Sequence, residues 1–366
     1  GIEMEFFPSR TLTWYLARLF VVRIFAVLLM LVLVLQVLDL LGESGDILAY
    51  KGNGESQLLY YVTLRIPQLI ARFLPYSVLL ATIITLATLN QNSEVISMKA
   101  AGLSAHQVLA PLLLSALLIS VGSLAFNERI VTRSTAMLSA WQGAKYGPIP
   151  RTASARANLY LADGRDLMMA SSIEGDGNAM VLNGVTFYNR DENGIITRTL
   201  RADKATFANP GWRFENPTSF DVAKTTTSRV ATVTVAPGIT PAKIMLSKVD
   251  ADSQDIFELT RSIEAMKVAG RRTSELDAAW WHKLSGPFSS VLMPLLGAVT
   301  AFGLARSGQL LIRAVIGMAL GFAYFVLDNA ALAMGNFGGY PPLIAAWAPF
   351  VLFAFIGETV LIRTEE

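Results

Sequence analysis

Six long apolar runs constrain this chain more strongly than any other feature of its sequence. In chain order they are Leu19–Leu41, Ile66–Leu89, Val108–Phe126, Leu284–Leu304, Leu310–Met334 and Tyr340–Ile362. An α-helix rises about 1.5 Å per residue, so each run is long enough to cross the hydrocarbon core of a bilayer, which is about 30 Å thick. Because 53% of the 366 residues are hydrophobic and the runs concentrate them, we predict an integral membrane protein with six transmembrane helices.

Between the third and fourth runs the composition changes. From Asn127 to about Ala278 charged residues occur throughout, Gly and Asn are frequent, and no apolar run is long enough to cross a bilayer. Short stretches, many with period-two alternation, are separated by the turn sequences DGRD, DENG and NPGW, as in antiparallel sheets. The predicted strands are Leu159–Leu161, Leu167–Ile173, Met180–Tyr188, Ile195–Ala202, Trp212–Phe214 and Val230–Val235.

This strand pattern predicts an inserted all-β domain of the sandwich or jelly-roll type. A helical pattern follows in DIFELTRSIEAMKVAG, and we expect that helix to lead back to the membrane; its shared face consists of Ile256, Leu259, Ile263 and Met266. The predicted organisation is residues 4–126 with transmembrane helices 1–3, residues 127–278 with the β-domain and its connecting helix, and residues 279–366 with transmembrane helices 4–6.

Several functional classes are excluded by residues that the sequence lacks. There is no Cys, which excludes disulfides, zinc thiolate sites and Cys nucleophiles, and His106 and His282 are too few for a multi-histidine metal site. The sequence contains no GxxxxGK[ST] P-loop, no GxSxG elbow and no HExxH motif. A net charge of +2, with dispersed basic residues, does not predict a nucleic-acid partner. Asp163 and Asp166 lie in a predicted turn, where solvated carboxylates are ordinary, so we expect no catalysis by them.

The short loops predict the orientation, because long domains translocate largely regardless of their charge. If the N-terminus is cytoplasmic, the inner side collects Arg10, Arg18, Arg23, Lys99, Arg306, Arg313 and Arg363. The outer loops then contain Lys51 and Arg65, against the acidic residues Glu43, Asp46 and Glu55. The positive-inside rule therefore predicts that both termini are cytoplasmic and that the β-domain lies outside.

The polar segment QNSEVISMKAAGLSAHQ, at 91–107, predicts a short helix at the membrane surface near 91–102. Ser93 and Glu94 suit a helix start, and Gly102 suits its end. Two interpretations are open at this point. In one, the segment is a solvated connector and Glu94 is a helix-start charge. In the other, the Val, Ile and Met side chains form an apolar face for a cytoplasmic partner, and Glu94 makes an ionic contact with it.

Four charged residues in or beside the runs are candidates for contacts with polar groups. Asp328 and Arg72 lie within runs. A charge in such a place usually faces the bundle interior or a water-filled cavity, or its side chain extends to the membrane surface. Arg129 and Arg133 follow the third run; they either bind anionic lipid groups or are ordinary solvated arginines.

Five motifs resemble the LptF/LptG family, the permease subunits of the lipopolysaccharide exporter. IPxxxxxxxP at 66–75 and SEVISMKAAG at 93–102 resemble the family's second span and coupling helix. FGLARS at 302–307 resembles the end of its fourth span, and GFAYFVLD at 321–328 and GGYPP at 338–342 resemble the LptG-type members more than the LptF-type. The resemblance covers all six spans, whereas the β-domain agrees in size and strand character only.

The resemblance implies a function and a set of partners. The family's permeases extract lipopolysaccharide from the Gram-negative inner membrane and pass it along stacked periplasmic β-jellyrolls, using sheet edges. The helix around Glu94 would dock into the ATPase LptB, which holds ATP and Mg²⁺, so that this chain itself binds no cofactor and no metal. The coupling residues are then Glu94, Ser93, Met98, Ala101 and Gly102. The permease LptF and the membrane-anchored LptC are the further implied partners, beside the membrane lipids.

The same resemblance implies where lipid is held. It implies a lateral gate built from spans one and five, with an apolar wall for acyl chains that includes Phe25, Leu29, Phe322 and Phe325. Family members tend to carry basic residues at the outer end of span one, but Gln36–Asp46 contains none. Either the lipid head group carries less phosphate, or the phosphate contacts come from elsewhere, with candidates Arg72, Arg129, Arg133 and Lys283.

Two functions compete with the permease. The chain could be a membrane-anchored envelope hydrolase with its active site in the outer domain, or a non-transporting envelope scaffold whose β-domain recruits partners. Co-purification with an ATPase distinguishes a permease from the hydrolase. Lipid-stimulated ATP turnover in the reconstituted complex distinguishes it from the scaffold.

Overall fold

The computed structural model describes residues 7–365 except residues 93, 150–155, 176, 248 and 305–309. The chain divides into two compact units. The first comprises Gly1–Leu38, Ile66–Val131 and Lys267–Glu366. The second comprises Asp39–Arg65 and Thr132–Met266.

Ten α-helices run through the described part of the chain. They are α1 Arg10–Ala49, α2 Glu55–Gln91, α3 Glu94–Ala100, α4 Ala105–Phe126, α5 Thr132–Gly143, α6 Pro241–Ser247, α7 Ile256–Val268, α8 Ser274–Ala298, α9 Leu310–Asn336 and α10 Pro342–Glu365. Six of the described helices are long and apolar enough to cross a membrane: α1, α2, α4, α8, α9 and α10. Each overlaps most of one predicted apolar run, so the prediction of six spans is confirmed.

The polar stretch between the first two spans differs from the prediction. The sequence indicates a loop from Gly42 to Ser56, but α1 continues to Ala49 and α2 begins at Glu55. The reason is a small apolar core in the second unit that these helix ends build with α5. It contains Ile47, Tyr61, Leu64, Leu138, Trp141 and Tyr146, all of which are buried. Tertiary packing of a side chain such as Ile47 can keep helical a stretch whose own composition indicates a loop.

In the first unit, small residues allow the spans to pack closely. Gly297 of α8 lies against the side chain of Thr82 in α2, and Gly321 of α9 lies against Leu79 in α2. Gly335 of α9 lies against an alanine of α10. Such close backbone approach is the usual basis of helix association in membranes, where apolar burial alone gives little advantage over lipid.

The second unit contains an eight-stranded, fully antiparallel sheet. Its strands are β1 Arg156–Asp163, β2 Asp166–Glu174, β3 Val181–Arg190, β4 Ile196–Phe207, β5 Trp212–Phe214, β6 Thr218–Asp221, β7 Thr226–Arg229 and β8 Val233–Val235. The strands follow the order β1-β2-β3-β4-β5-β8, and β6 pairs with both β4 and β7. The long strand β4 therefore has two partners on one side: β6 along its first part, where Leu200 faces Ser219, and β5 along its last part, where Ala205 faces Phe214. The antiparallel sheet between the two sets of spans confirms the predicted fold class.

Two of these strands have no counterpart in the prediction. Strands β6 and β7 are four residues each, and every side chain of β7 is exposed. Because neither shows an apolar alternation, only backbone pairing identifies them as strands: β6 pairs with β4, and β7 pairs with β6. The predicted strand at Val230–Val235 is real only from Val233. The predicted amphipathic helix is α7, with Leu259 and Ile263 buried.

Candidate coupling segment and membrane-facing residues

The segment predicted to be a surface helix is α3, and local sequence determines where it ends. Gly102 has a φ of +90°, which a residue without a Cβ adopts at no steric cost. Its N–H donates to the carbonyl of Lys99, and the N–H of Leu103 donates to the carbonyl of Met98. These two bonds form a Schellman motif, which satisfies the last carbonyls of a helix. The prediction that Gly102 ends this helix is confirmed.

The next helix begins two residues later with a capping box. Ser104 accepts a hydrogen bond from the backbone N–H of Gln107, and the Gln107 side chain accepts one from the Ser104 N–H. Both free N–H groups are therefore satisfied by side chains. Because α3 ends at Gly102 and α4 begins after Ser104, the connection from α3 to the third span has a defined geometry.

Glu94, the first residue of α3, has a partner in the first span. The Tyr15 hydroxyl lies 3.2 Å from Glu94 Oε1 and 3.1 Å from Oε2. Glu94 is half-buried, and Tyr15 is 41% exposed. The carboxylate is thus more than a helix-start charge, because it joins α3 to α1. Ser93, which the sequence places at the helix start, lies outside the described residues.

The rest of α3 differs in part from the predicted docking face. Met98 is only 7% exposed and belongs to the core of the spans, so it packs inward and is not part of an outer apolar face. Ala101 and Gly102 are exposed. The Lys99 ammonium lies 5.5 Å from the centroid of the Phe302 ring, in the π-helical turn that extends α8. Residues Ala305–Ser307 of the FGLARS motif lie outside the described part of the chain.

A histidine–carboxylate contact lies at the same end of the helical unit. His106 Nε2, in the first turn of α4, is 2.6 Å from Glu358 Oε1 in α10. Three contacts therefore join helices at the end of the unit that carries α3. Tyr15 joins α1 to α3, Lys99 joins α3 to the end of α8, and His106 joins α4 to α10. Tyr15 and Lys99 thus place α3 in contact with two spans, α1 and α8.

Asp328, the charge predicted inside the fifth span, is buried and paired. It is 7% exposed, and its Oδ2 lies 2.9 Å from His282 Nε2 in α8. Burial of the carboxylate argues against an extended side chain that reaches the membrane surface, because such a side chain would be exposed. The pair joins α8 to α9, as is usual for ionisable residues within spans.

The predicted acyl-chain residues fall into two groups. Phe25, Leu29 and Phe322 are 56%, 61% and 63% exposed, as lipid-facing or partner-facing side chains are. Phe325 is half-buried, and its ring centroid lies 4.6 Å from that of Tyr76 in α2. Phe325 is therefore partly used for packing between spans.

The predicted phosphate-binding residues lie on four different elements. Arg72 in α2 is exposed, and its guanidinium lies 5.9 Å from the Phe73 ring centroid. Arg129, in the turn after α4, and Arg133, in α5, are also exposed, and Lys283 of α8 is half-buried. The contacts that run from Phe73 to Tyr76 and on to Phe325 connect the surroundings of Arg72 to α9. Lys283 follows His282, which pairs with α9 as well. The role of these four residues stays a prediction.

Comparison with known proteins identifies the group to which the chain belongs. The family described as "Lipopolysaccharide export system permease LptF/LptG" matches residues 14–363. The chain belongs to the LptF/LptG family. The lipopolysaccharide export system permease protein LptG of Escherichia coli (strain K12) is 26% identical over 327 residues, which are 87% of this chain and 89% of that protein. The protein of that name from Haemophilus influenzae (strain ATCC 51907 / DSM 11121 / KW20 / Rd) is 23% identical over 301 residues, 81% of this chain and 83% of the relative.

Membership of the LptF/LptG family confirms the resemblance that the motifs indicated. It makes this multi-pass membrane protein a transport subunit and not a catalytic enzyme. The turn carboxylates agree with that assignment. Asp163 accepts a hydrogen bond from the Gly238 N–H, and Asp166 accepts one from the Arg190 N–H, so both carboxylates hold loop backbone.

Sequence reasoning missed two tyrosine–carboxylate contacts in the second unit of this LptF/LptG member. The Tyr61 hydroxyl donates to Asp39 at 2.5 Å, and the Tyr146 hydroxyl donates to Glu43 at 2.6 Å. Burial, together with the hydrogen bond to Glu43, raises the pKa of the Tyr146 hydroxyl above its ordinary value. No local sequence pattern indicates these pairs, because Tyr61 and Asp39 are 22 residues apart and Tyr146 and Glu43 are 103 residues apart.

Proposed function

We propose that this chain is the LptG-type transmembrane permease of an ABC exporter that extracts lipopolysaccharide from the Gram-negative inner membrane. A separate ATPase subunit, LptB, drives it and holds ATP and Mg²⁺. The lipid passes to a periplasmic bridge of β-jellyrolls, to which the second unit of this chain contributes. LptF is the second permease and LptC the membrane-anchored partner.

The single observation that carries this proposal is the construction of α3. A helix of seven residues, sharply ended at Gly102, presents a half-buried carboxylate and contacts both the first span and the end of α8. A solvated connector has no need of these contacts. A segment that receives a displacement from a partner and passes it to the spans does need them.

The orientation in this proposal follows from charge and connectivity. Spans alternate in direction, so the starts of α1, α4 and α9 and the ends of α2 and α8 share one side, which is also the side of α3. By the positive-inside rule that side is cytoplasmic. The sheet is inserted between the end of α4 and the start of α8, so its chain leaves and re-enters the membrane on the periplasmic side.

The lipid path in this proposal runs along the outer faces of α1 and α9. Both helices present rows of exposed apolar side chains, among them Leu29, Leu33 and Phe322. Acyl chains need only such an apolar wall, and phosphorylated sugars need cationic groups near the periplasmic end. Closure of the ATPase would move α3, and the cavity between the two permeases would narrow and release lipid without covalent chemistry by this chain.

Charge reversal at Glu94 tests the proposal. Glu94→Lys is co-expressed with the ATPase and the other permease, and both recovery of the complex and ATP-dependent release of lipopolysaccharide from proteoliposomes are measured. We expect loss of recovery or of release, because a cation in place of the carboxylate repels a basic partner group and abolishes the contact with Tyr15.

The matched control is Glu264→Lys, the same charge reversal at an exposed position of α7. It should leave recovery of the complex and lipid release within twofold of the unchanged protein. Normal assembly together with normal release in Glu94→Lys would remove α3 as the coupling site.

A further inference from the structure

A hydrogen bond between distant parts of the sequence joins the first span to the proposed coupling segment. Tyr15 and Glu94 are 79 residues apart, and the phenol oxygen lies almost equally far from both carboxylate oxygens, at 3.2 and 3.1 Å. No pattern around Tyr15 marks it as anything other than an aromatic residue at the membrane interface. Its neighbour Trp14 is 71% exposed.

Both backbones that carry this contact are held in place independently of it. Leu16, next to Tyr15, is fully buried in the core of the helical unit, as is Phe20 one turn later. On α3, Met98 is buried in the same core and the Schellman motif at Gly102 fixes the end of the helix. The hydroxyl of Tyr15 therefore does not by itself set the position of either helix; it orients the Glu94 side chain and limits the remaining movement of α3 relative to α1.

The chemistry of the contact leaves Glu94 available to a second donor. A phenol has a single proton to share between two carboxylate oxygens, whereas an ionised carboxylate has about four acceptor positions. A guanidinium or ammonium group binds a carboxylate more strongly than a neutral hydroxyl does. The phenol can thus orient the carboxylate without blocking a cationic side chain of a partner.

We propose that Tyr15 is a positioning residue: its hydroxyl orients the Glu94 carboxylate toward a basic side chain of the ATPase subunit and ties α3 to α1. This inference rests on the proposed function, because it needs α3 to be the docking segment. It adds that this hydrogen bond is one route by which displacement of α3 reaches the first span. Since α1 is an outer helix with a lipid-facing row of side chains, the contact connects ATPase docking to the helix surface along which lipid moves.

A double-mutant cycle on the complete complex tests the role of the hydroxyl. The variants are Tyr15→Phe, Glu94→Gln and the double variant, and the readout is lipopolysaccharide released per ATP hydrolysed. Tyr15→Phe keeps the ring and should lower this ratio about fivefold, since the lost bond involves a charged acceptor. The double variant should be no worse than Glu94→Gln alone, because both changes remove the same interaction. Trp14→Phe, at the adjacent exposed aromatic, should leave the ratio unchanged.

A second measurement requires no partner. Because the chain contains no cysteine, Ala101→Cys introduces a unique site for a spin label at an exposed position one residue after α3. In the purified chain the label should become more mobile when Tyr15→Phe is added, and it should not respond to Trp14→Phe.

The outcomes distinguish the positioning role of Tyr15 from the docking role of α3. If Glu94→Gln lowers lipid release and Tyr15→Phe does not, Tyr15 has no positioning role, although the coupling segment stands. If Tyr15→Phe acts equally in the presence and absence of the Glu94 change, it acts elsewhere and the inference is overturned. If Glu94→Lys and Glu94→Gln both leave release normal while the label responds to Tyr15→Phe, the contact is real and the proposed docking at α3 fails.

Discussion

The spans α1 and α8 show how differently two membrane helices of one chain can be built. In α1, the most apolar of the six, only 22% of the most apolar stretch is buried, whereas in α8, the least apolar, 72% is buried. The outer helix is rich in Leu and Val, and the inner one carries buried serines, buried prolines and one buried glycine. Of these two helices, the more apolar one is therefore the less buried.

The physical reason is the change of solvent. In water, the most apolar segment is driven to the centre, but lipid tails are as apolar as Leu, so the inner position goes to residues that allow close packing or hydrogen bonding. The Ser289 hydroxyl, for example, donates to the backbone carbonyl of Gly286 within α8. Gly297 of α8 lies against Thr82 in the neighbouring span α2. Substitutions at closely packed positions of the inner helices should therefore lower stability much more than substitutions on the outer helix faces.

The largest effect is expected when the close packing of α8 is removed. In Gly297→Leu, the new Cβ would lie 2.5 Å from Thr82 Cγ2 and 2.9 Å from Thr82 Cβ, and three further carbon atoms would follow. Because Thr82 is itself fully buried, the two helices must separate, at a cost of about 3 kcal/mol or more. The midpoint of thermal unfolding in detergent and the yield of monodisperse protein measure it.

Gly122 offers the matched control, since it is a glycine of α4 whose Cβ would meet nothing within 4 Å. Gly122→Leu should insert and unfold like the unchanged protein. Equal losses in the two glycine variants would mean that leucine itself, and not the contact with α2, is harmful.

An intermediate effect is expected at the ionic pair between α8 and α9. His282→Ala leaves the buried Asp328 carboxylate without the partner that lies 2.9 Å away. We expect a loss of about 2 kcal/mol, less than for a fully enclosed pair, because His282 is partly exposed. Adding Asp328→Asn should recover part of this loss.

His106→Ala should lower stability less, since the side chain of its partner Glu358 is 45% exposed. A loss as large as that of His282→Ala would show that burial does not determine how much these pairs contribute to stability.

A small effect is expected at a hydroxyl that contributes no observed hydrogen bond. The Oγ of Ser290 is buried in α8 and has no partner among the described residues, whereas the neighbouring Ser289 donates to Gly286. Ser290→Ala should therefore change stability by less than about 0.5 kcal/mol, and Ser289→Ala should lower it by up to about 1 kcal/mol. Thermal unfolding of the two variants side by side measures the difference, and the reverse order would point to a partner of Ser290 that forms only in the assembled complex.

The sequence predicts the outline of this fold because its determinants are local. Apolar runs of about twenty residues identify the six spans, and Gly102 identifies the end of α3. What it does not predict depends on distant partners. Residues 42–49 are helical because Ile47 packs in a core with Trp141, and β7 is a strand only because β6 pairs with it.

The candidate site follows the same rule. Glu94 and Asp328 stand out as charges in unusual positions, so both could be selected from sequence. Their partners Tyr15 and His282 could not, since they lie on other helices and look like ordinary residues of the membrane interface. Met98 was assigned to an exposed face for a similar reason: helical periodicity describes faces, but it does not say which face a neighbouring helix covers.

The smallest effect on stability, and the most informative one for function, is expected on the outer face of α1. Leu28 and Leu29 are neighbours of equal chemistry, but Leu28 is 7% exposed and Leu29 is 61% exposed. Leu28→Ala opens a cavity and should cost about 2 kcal/mol. Leu29→Ala should cost almost nothing, because this side chain contacts lipid or a partner whether or not the spans are packed.

If the outer face of α1 lines the lipid path, Leu29→Ala should nevertheless slow ATP-dependent lipid release in proteoliposomes, while Leu28→Ala changes mainly the unfolding midpoint. Release that follows stability in both variants would show that α1 acts through packing, and the outer face would then be a surface for bulk lipid only.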